Sequence, residues 1–266
     1  MPELPEVQCI INTLQRMVGK TFSTCSILNE RLREPVQPDL EAHLTGKTIT
    51  AISRLGKYIL ISLSEGHLVC HLGMTGKLVI DAHKGKHDRL QFGFDDDSWL
   101  TYNDVRKFGF MTYVSCPGES KYLRKLGLEP LSDGFTPERL ITMCSGVKTP
   151  IKVFLLDQSK VAGLGNIYVN EVLYECGIDP YMASRSLTAI QSAKLVPAIK
   201  DMLERSILAG GSSISDYRDA DDKKGSFQDT FKVYGKVTDP LGNVVTRSVL
   251  GGRSTFHVAE LQTSTA

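Results

Sequence analysis

The chain has 266 residues, enough for two domains that each bury a hydrophobic core. Its 41% hydrophobic and 23% charged residues are typical of an ordinary soluble protein, and no apolar run approaches the roughly 20 residues of a transmembrane helix. The lack of a long apolar run excludes helical membrane-spanning classes. The 31 basic and 30 acidic residues leave a net charge of +1, so the charge indicates no particular partner. Six scattered cysteines without a Cys-x-x-Cys pair indicate reduced thiols rather than a disulfide or zinc framework.

The N-terminal half predicts one helix followed by strands. Apolar residues at 7, 10, 11, 14, 17 and 18 have the spacing of an amphipathic helix that starts at Pro5 and ends before Gly19. From Ile49 to Val114 the apolar period becomes two, which predicts a largely antiparallel sandwich or flattened barrel. The clearest strands are 58–63, 67–71, 77–80 and 90–94.

The second half predicts helices and then a return to strands. Residues 118–134 break the pattern and indicate a linker between domains. Helical periodicity follows, then a polar, glycine-containing loop at 210–225, and β-type alternation over the last forty residues. The predicted helices are 137–144, 151–157, 166–176 and 188–209. We therefore expect domains at 1–130, 131–225 and 226–266.

The N-terminus carries a candidate nucleophile. Removal of Met1 would leave a secondary amine on Pro2, and an α-amine with a pKa of about 8 is partly unprotonated at neutral pH. The positive end of the adjoining helix would lower that pKa further. Such an amine can attack an electrophilic sugar carbon and form an iminium, with Glu3 beside it to move protons. The structural alternative is that Pro2, Glu3 and Glu6 only begin a helix with favourable charge.

Five segments together resemble the formamidopyrimidine-DNA glycosylase and endonuclease VIII family, and the resemblance covers essentially the whole chain. They are Met1–Val7 (MPELPEV), Gly56–Tyr58 (GKY), His71–Gly76 (HLGMTG), Arg106–Gly109 (RKFG) and Gly163–Glu171 (GLGNIYVNE). The resemblance implies an α+β fold: an N-terminal antiparallel β-sandwich with a lead helix, then a helix–two-turn–helix domain that ends in a β-hairpin finger. It implies that DNA lies in the cleft between the domains.

The resemblance also implies roles for individual residues. Lys57 would contact phosphate and donate a proton during β-elimination, where the alternative is a solvated lysine at a strand start. Met74, Arg106 and Phe108 would fill the gap that a flipped base leaves, where the alternative places both apolar residues in the core. His71, Arg89 and Lys148 lie where family members contact DNA. Asn166, at a helix start that follows Gly163-Leu-Gly165, would touch a phosphate, cap the helix, or do both.

The tail departs from most bacterial members, which end in a four-cysteine zinc finger. The four ligand positions hold Leu241, Val244, Val258 and Leu261, and none of these side chains can bind zinc. We therefore expect no cofactor, and a metal-free finger that these apolar residues hold together. Arg253, after Gly251-Gly252, would grip the phosphate region on the 5′ side of the lesion and assist δ-elimination.

The resulting hypothesis is a bifunctional DNA glycosylase and abasic-site lyase of base excision repair that acts on oxidised purines such as 8-oxoguanine and formamidopyrimidines. Its catalytic residues would be Pro2, Glu3, Lys57 and Arg253, and its partner double-stranded DNA with an oxidised base or abasic site. We expect an intracellular monomer, in the cytoplasm or nucleoid of a bacterium or the nucleus of a eukaryote. One alternative is an endonuclease VIII-like enzyme for oxidised pyrimidines. The other is an inactive damaged-DNA-binding protein.

Overall fold

The computed structural model describes residues 2–81, 85–214 and 217–264, and its internal contacts divide them into two compact units. The first holds the residues up to Arg124 together with Ala209–Gln228, and the second holds Lys125–Leu208 and Asp229–Ala266. The expected boundary at 130 therefore lies six residues from the observed one. The expected domain of 131–225 differs more, because the structure groups residues 209–228 with the N-terminal unit.

The first unit begins with helix α1, Leu4–Leu14. Pro5 lies in its first turn, where the missing N–H needs no partner. The predicted helix extended to Val18, but residues Gln15–Met17 form a 3-10 turn and Val18 is extended. The chain leaves the helix there because the backbone N–H of Gly19 donates to Ile49 of the sheet (2.8 Å). The buried face of α1 then packs against the core with Val7, Ile10 and Leu14.

Two four-stranded antiparallel sheets follow, together with one short helix, α2 (Leu40–Leu44). The first sheet has the strand order β1-β6-β7-β5 and the second the order β2-β3-β4-β8. Their bounds are β1 Phe22–Ile27, β2 Ile49–Leu55, β3 Tyr58–Leu63, β4 His67–His71, β5 Gly76–Ile80, β6 Asp88–Phe94, β7 Trp99–Asp104 and β8 Phe110–Val114.

The alternating side chains explain why the sheets pack into a sandwich. Phe92 and Tyr102 of the first sheet and Ile59 and Ile61 of the second belong to one buried cluster that also includes the apolar face of α1. Burial of a side chain of this size contributes about 1.5–3 kcal/mol. The predicted α+β fold with an N-terminal antiparallel sandwich and a lead helix is confirmed.

The described residues of the second unit form four α-helices and a two-stranded hairpin. Thr136 caps α3 through a hydrogen bond from the N–H of Arg139 (3.2 Å), and Gly177 ends α5 in the left-handed conformation. Helices α3 and α5 pack on α6, and α4 packs on α5. The elements are α3 Pro137–Cys144, α4 Ile151–Leu156, α5 Asn166–Cys176, α6 Ala189–Leu208, β9 Thr246–Leu250 and β10 Arg253–His257.

No helix in the described part of the chain combines the length and the apolar character needed to cross a membrane. All six cysteines fall within the described residues and are free thiols, and five of them are buried. Burial raises the pKa of Cys9 and of Cys25 to about 12, which keeps both thiols protonated. The five buried cysteines therefore behave as small core residues, and all six are reduced thiols, as the sequence indicated.

Candidate functional site

The N-terminal residues are buried at the start of α1. Pro2, Glu3 and Glu6 are all buried, while Met1 lies outside the described residues. The Oε2 atom of Glu6 accepts a hydrogen bond from the backbone N–H of Glu3 (2.8 Å). This bond fixes the residue next to Pro2 through the first helical turn, as in a capping box. The backbone at Pro2 and Glu3 is therefore held in place by Glu6. The sequence did not mark Glu6 as a site residue.

Glu6 also holds the segment Ala209–Gln228, which we call the overlying loop. Its Oε1 atom accepts hydrogen bonds from the N–H and the hydroxyl of Ser212, both at 2.8 Å. The hydroxyl of Tyr217 donates to the carbonyl oxygen of Glu6 (3.2 Å). Gly211 has a φ of +81° and passes so close that a β-carbon there would meet the Glu6 side chain at 3.2 Å. One buried carboxylate therefore joins the N-terminal residues Pro2 and Glu3 to the overlying loop. Residues 215 and 216 of the loop, including Asp216, lie outside the described residues.

Lys57 lies in the two-residue turn between β2 and β3. Gly56, the first residue of this turn, has a φ of +57°, which the hairpin geometry favours for glycine. The guanidinium of Arg54 donates to the carbonyl of Gly56 (3.0 Å) and to the side chain of Gln8 on α1 (3.0 Å). Lys57 is only 6% exposed. The hairpin that carries Lys57 is thus tied to the helix that follows Pro2, and the solvated alternative is wrong.

His71 ends β4 beneath an aromatic cluster. Its ring lies 4.8 Å from the ring of Tyr58 and 5.8 Å from that of Phe110, centroid to centroid. Its Nδ1 atom accepts a hydrogen bond from the backbone N–H of Gly73 (3.2 Å). The neutral ring therefore carries its proton on Nε2, which can donate to an acceptor such as a phosphate oxygen.

Burial, together with the positive charges of Lys57 and Arg33, lowers the pKa of His71 to about 4. Below pH 6.5 the imidazole of His71 is protonated in the unfolded chain but stays neutral in the folded chain. The free energy of unfolding therefore falls as the pH falls from 6.5 to 4. We expect the free energy of unfolding to drop over this range by up to about 3 kcal/mol more than in His71→Gln. Urea unfolding of both proteins at several pH values measures this, and equal pH slopes would contradict the assignment.

Met74, Arg106 and Phe108, which we call the edge triad, lie on two connections at one edge of the first unit. Met74 is 39% exposed and Phe108 is 46% exposed, so the core alternative is wrong for both. The Arg106 guanidinium lies 4.7 Å from the centre of the Phe108 ring. The connections touch, since a β-carbon on Gly73 would meet the backbone of Phe108 at 2.4 Å. The structure therefore brings together the three residues that the sequence placed in separate motifs.

Arg89 does not share this exposure. It is 7% exposed, and its Nε donates to the carbonyl oxygen of Asp104 at 2.8 Å. Asp104 ends β7, just before the connection that carries Arg106 and Phe108. This position favours support of the connection by Arg89 over the DNA contact that the sequence analysis expected.

In the second unit, Arg253 follows the tight turn of the β9–β10 hairpin and is exposed. Gly251 and Gly252 have φ values of +58° and +72°, the left-handed pair that such a turn requires. A β-carbon on Gly251 would meet the side chain of Val153 on α4 at 2.8 Å, so only glycine lets the turn approach this helix. Arg253 is thus presented on a fixed turn.

Two buried side chains that the sequence analysis missed fix the strand that follows Arg253. The Nζ of Lys152, which is 0% exposed, donates to the carbonyl of Ser254 (2.7 Å) and the hydroxyl of Thr255 (2.8 Å). The Oδ1 atom of Asn170 accepts from the N–H of Phe256 (2.8 Å). Burial, with the charge of Arg253 nearby, lowers the pKa of Lys152 to about 8. The sequence signal that could have identified Lys152 is its position inside an apolar helical run.

Asn166 and Lys148 occupy different environments. Gly165 is the cap of α5 and Asn166 is its first helical residue, so the capping role considered for Asn166 is wrong. Its side-chain amide donates instead to the carbonyl of Ser254 (2.9 Å), which joins the start of α5 to β10. Lys148 is exposed in the connection between α3 and α4.

The hairpin is not held together as the sequence analysis expected. Of the four apolar residues at the usual ligand positions, only Val258 is buried, whereas Leu241 is 74%, Val244 67% and Leu261 39% exposed. The buried cluster is formed by Val233, Val245, Phe256 and Val258. The expectation is wrong for Leu241, Val244 and Leu261, which do not belong to this cluster.

A carboxylate organises that turn. Asp239 is 5% exposed and accepts hydrogen bonds from the N–H groups of Leu241 (2.9 Å) and Asn243 (2.8 Å). It also accepts from the hydroxyl of Tyr174 on α5 (2.9 Å). Zinc does not fit the four aliphatic positions, which offer no nitrogen, oxygen or sulfur donor. Among the described residues, no group of three or more His, Cys, Asp or Glu is arranged to hold a metal ion.

Comparison with protein families gives matches to both units. Residues 1–111 match the family model described as the formamidopyrimidine-DNA glycosylase N-terminal domain, and residues 126–218 match the formamidopyrimidine-DNA glycosylase H2TH domain. The chain is 41% identical to the formamidopyrimidine-DNA glycosylase of Paracoccus denitrificans, over 96% of this chain and 98% of that protein. It is also 41% identical to the one from Laribacter hongkongensis, over 96% and 97%.

Solved structures give the same picture in three dimensions. A Lactococcus lactis FPG mutant in complex with a DNA that contains Fapy-dG superposes with a TM-score of 0.90 at 34% identity, over 98% of this chain and 99% of that one. The Lactococcus lactis Fpg bound to DNA with an abasic site gives 0.89 at 33% identity, over the same shares.

Proposed function

Since the chain belongs to the formamidopyrimidine-DNA glycosylase family and is a DNA glycosylase of DNA repair, we propose that it excises oxidised purines from duplex DNA and then cleaves the strand at the abasic site. The observation that supports the substrate preference is the edge triad. The apolar wedge of Met74, the guanidinium of Arg106 and the ring of Phe108 share one exposed edge. The related Lactococcus lactis structures hold DNA with Fapy-dG or an abasic site, which supports the same substrate class.

The first half of the reaction uses Pro2 and Glu3. After removal of Met1, the lone pair of the Pro2 nitrogen attacks C1′ of the flipped deoxyribose, and the base leaves with the electrons of the glycosidic bond. The nitrogen loses its proton, and the sugar ring opens when O4′ receives one. The product is an iminium between the enzyme and the opened sugar. Glu3, held by the hydrogen bond from its N–H to Glu6, is the group that moves these protons.

The second half cleaves the strand through two eliminations. Loss of a C2′ proton from the iminium expels the 3′ phosphate, and loss of a further sugar proton expels the 5′ phosphate. Lys57 contacts phosphate and donates a proton in the first elimination, and Arg253 holds phosphate in the second. His71 donates from Nε2 to a phosphate oxygen as a neutral ring, because its low pKa keeps it uncharged near pH 7. Asn166 and Lys148 add phosphate contacts from the second unit. We propose a monomer without metal or redox cofactor.

Rates on two duplexes test the substrate preference. Single-turnover excision should be at least about tenfold faster from 8-oxoguanine paired with cytosine than from thymine glycol, a difference of about 1.4 kcal/mol in the barrier. Faster excision of thymine glycol would favour an endonuclease VIII-like enzyme. Tight binding to an abasic site without strand cleavage would instead indicate a damaged-DNA-binding protein.

The finger gives a separate prediction. Because aliphatic side chains occupy all four usual ligand positions, the purified protein should contain far less than one zinc ion per chain. A chelator should leave the excision rate unchanged. Mass spectrometry for metals and the same assay with and without chelator measure both quantities. One zinc per chain, or loss of activity on chelation, would show that other residues of the chain form a metal site.

A further inference from the structure

A single buried carboxylate lies beneath the edge triad. Asp104 is 0% exposed. Its Oδ1 atom accepts hydrogen bonds from the hydroxyl of Thr75 (2.6 Å) and the backbone N–H of Arg106 (3.2 Å). Its Oδ2 atom accepts from the N–H of Gly109 (2.9 Å) and the hydroxyl of Tyr102 (3.3 Å). Hydrogen bonds to an ionised acceptor are about twice as strong as those between neutral groups.

These bonds join two connections that are far apart in the sequence. Thr75 follows Met74 in the β4–β5 connection, and its hydroxyl oxygen also accepts from the N–H of Arg106 (2.9 Å). Glycine makes the close approach possible, since a β-carbon on Gly109 would meet the carbonyl oxygen of His71 at 2.4 Å. Asp104 therefore fixes the two connections relative to each other.

The β7–β8 connection is also strained at one residue. Lys107, between the two members of the triad, has a φ of +59°, which costs a residue with a side chain of this size some backbone energy. Asp104 binds the N–H groups of Arg106 and Gly109, which flank this residue. Arg89 donates to the backbone carbonyl of Asp104 and so holds the end of β7 as well. The conformation that points Arg106 and Phe108 outward is thus held from both sides.

We propose that Asp104, acting through Thr75, is the positioning residue that presents Met74, Arg106 and Phe108 as one rigid void-filling unit. This rests on the proposed function, since it assigns the edge triad to the gap left by a flipped base. Asp104 is fully buried and acts through the two connections that it holds. It determines whether the wedge, the guanidinium and the ring enter the duplex together, and rigid support of this kind is what a preorganised site requires.

The test uses Thr75 variants, because they keep the carboxylate and change only the two hydrogen bonds of the Thr75 hydroxyl, to Asp104 and from the N–H of Arg106. Thr75→Val removes the hydroxyl at nearly constant shape, and Thr75→Ser keeps it and serves as the matched control. Each protein is assayed on 8-oxoguanine in a duplex and on an abasic site in single-stranded DNA, where no orphan base has to be stabilised. A 2-aminopurine opposite an abasic analogue reports by fluorescence how far the orphan base is unstacked on binding.

We expect Thr75→Val to slow duplex excision about ten- to hundredfold, to change single-strand cleavage less than about threefold, and to reduce the fluorescence increase. Thr75→Ser should remain within about threefold of the parent on both substrates. In a Met74→Ala/Arg106→Ala/Phe108→Ala background, Thr75→Val should have no further effect on duplex excision. Asp104→Asn should follow Thr75→Val, with a larger loss.

Three results would overturn the proposal: equal losses on both substrates, equal behaviour of the Val and Ser variants, or a full Thr75→Val effect in the triple-alanine background. Each leaves parent activity intact, so the proposed function would stand. A parent protein that cleaves neither substrate would instead remove the proposed function, and the positioning role with it. Thermal unfolding of Thr75→Val checks that the change in rate does not come from loss of the fold.

Discussion

Replacement of Glu6 with Ala is expected to lower the rate of base excision at least about a hundredfold and the free energy of unfolding by about 3 kcal/mol. The carboxylate is 1% exposed and accepts hydrogen bonds from the N–H of Glu3 and from the N–H and hydroxyl of Ser212. Its removal takes a common hydrogen-bond acceptor away from both the N-terminal residues Pro2 and Glu3 and the overlying loop. Both segments should then occupy more than one conformation, which misplaces the amine of Pro2.

Glu6→Gln separates the two consequences. The amide keeps the shape and one oxygen, so stability should fall by only about 1–2 kcal/mol, while its NH₂ group must face one of the donors that the carboxylate accepted. Glu41→Ala, an exposed glutamate on α2, serves as the control and should stay within about 0.5 kcal/mol of the parent. Urea unfolding and single-turnover excision measure the two effects. A Glu6→Ala protein with parental excision rate would rule out the coupling.

The second large effect is expected from Glu171→Ala, which should lower the stability of the second unit by about 3–5 kcal/mol. Glu171 is 3% exposed on α5, and its carboxylate accepts from the backbone N–H groups of Lys232 (2.8 Å), Val233 (3.0 Å) and Tyr234 (2.6 Å). These residues lead into the β9–β10 hairpin. Without that acceptor the start of this segment loses its attachment to α5, so strand cleavage that depends on Arg253 should slow together with the loss of stability.

Hydrogen exchange measures the Glu171 effect locally. The amides of 232–234 should exchange much faster in Glu171→Ala than in the parent, whereas those of α1 should be unchanged because they lie in the other unit. Glu204→Ala, an exposed glutamate on α6, is the control for a loss of charge on a helix. Unchanged exchange at 232–234 would mean that the three hydrogen bonds do not hold this segment on α5.

Periodicity was sufficient to predict the elements that bury one regular face. The strands at Tyr58–Leu63 and His67–His71 and the helix at Asn166–Cys176 begin and end where the sequence patterns do. Strand β1, Phe22–Ile27, was missed because its burial pattern does not alternate regularly and its partner, β6, lies more than sixty residues away. Pairing between distant segments leaves little signal in either one.

The contacts that organise the site were not predictable for the same reason. Glu6 was interpreted as a charge at a helix start, and nothing local shows that Ser212, 206 residues later, would bind it. Lys152 resembled any helical lysine until α4 placed it against β10. The structure groups the overlying loop with the first unit, whereas the sequence placed it with the helices, because a polar, glycine-containing segment carries no pattern that indicates which unit it contacts.

In the finger, the prediction about metal binding and the prediction about burial rest on different kinds of argument. The prediction that the finger binds no zinc depends on side-chain chemistry alone, since Leu241, Val244, Val258 and Leu261 offer no donor atom. Their burial was inferred from their apolar character, which is a weaker argument, since many apolar side chains remain exposed in folded proteins. The buried cluster instead uses Val245, one residue after Val244.

Borohydride trapping tests the central claim, that the amine of Pro2 forms a covalent iminium with the damaged sugar. Reduction during reaction with an 8-oxoguanine duplex should link the processed protein to DNA, and peptide mass spectrometry should place the link on Pro2. A protein that retains Met1 should give no crosslink, and Pro2→Gly should give little or none. An undiminished crosslink in either form, or a link mapped to a lysine, would contradict the assignment of the nucleophile.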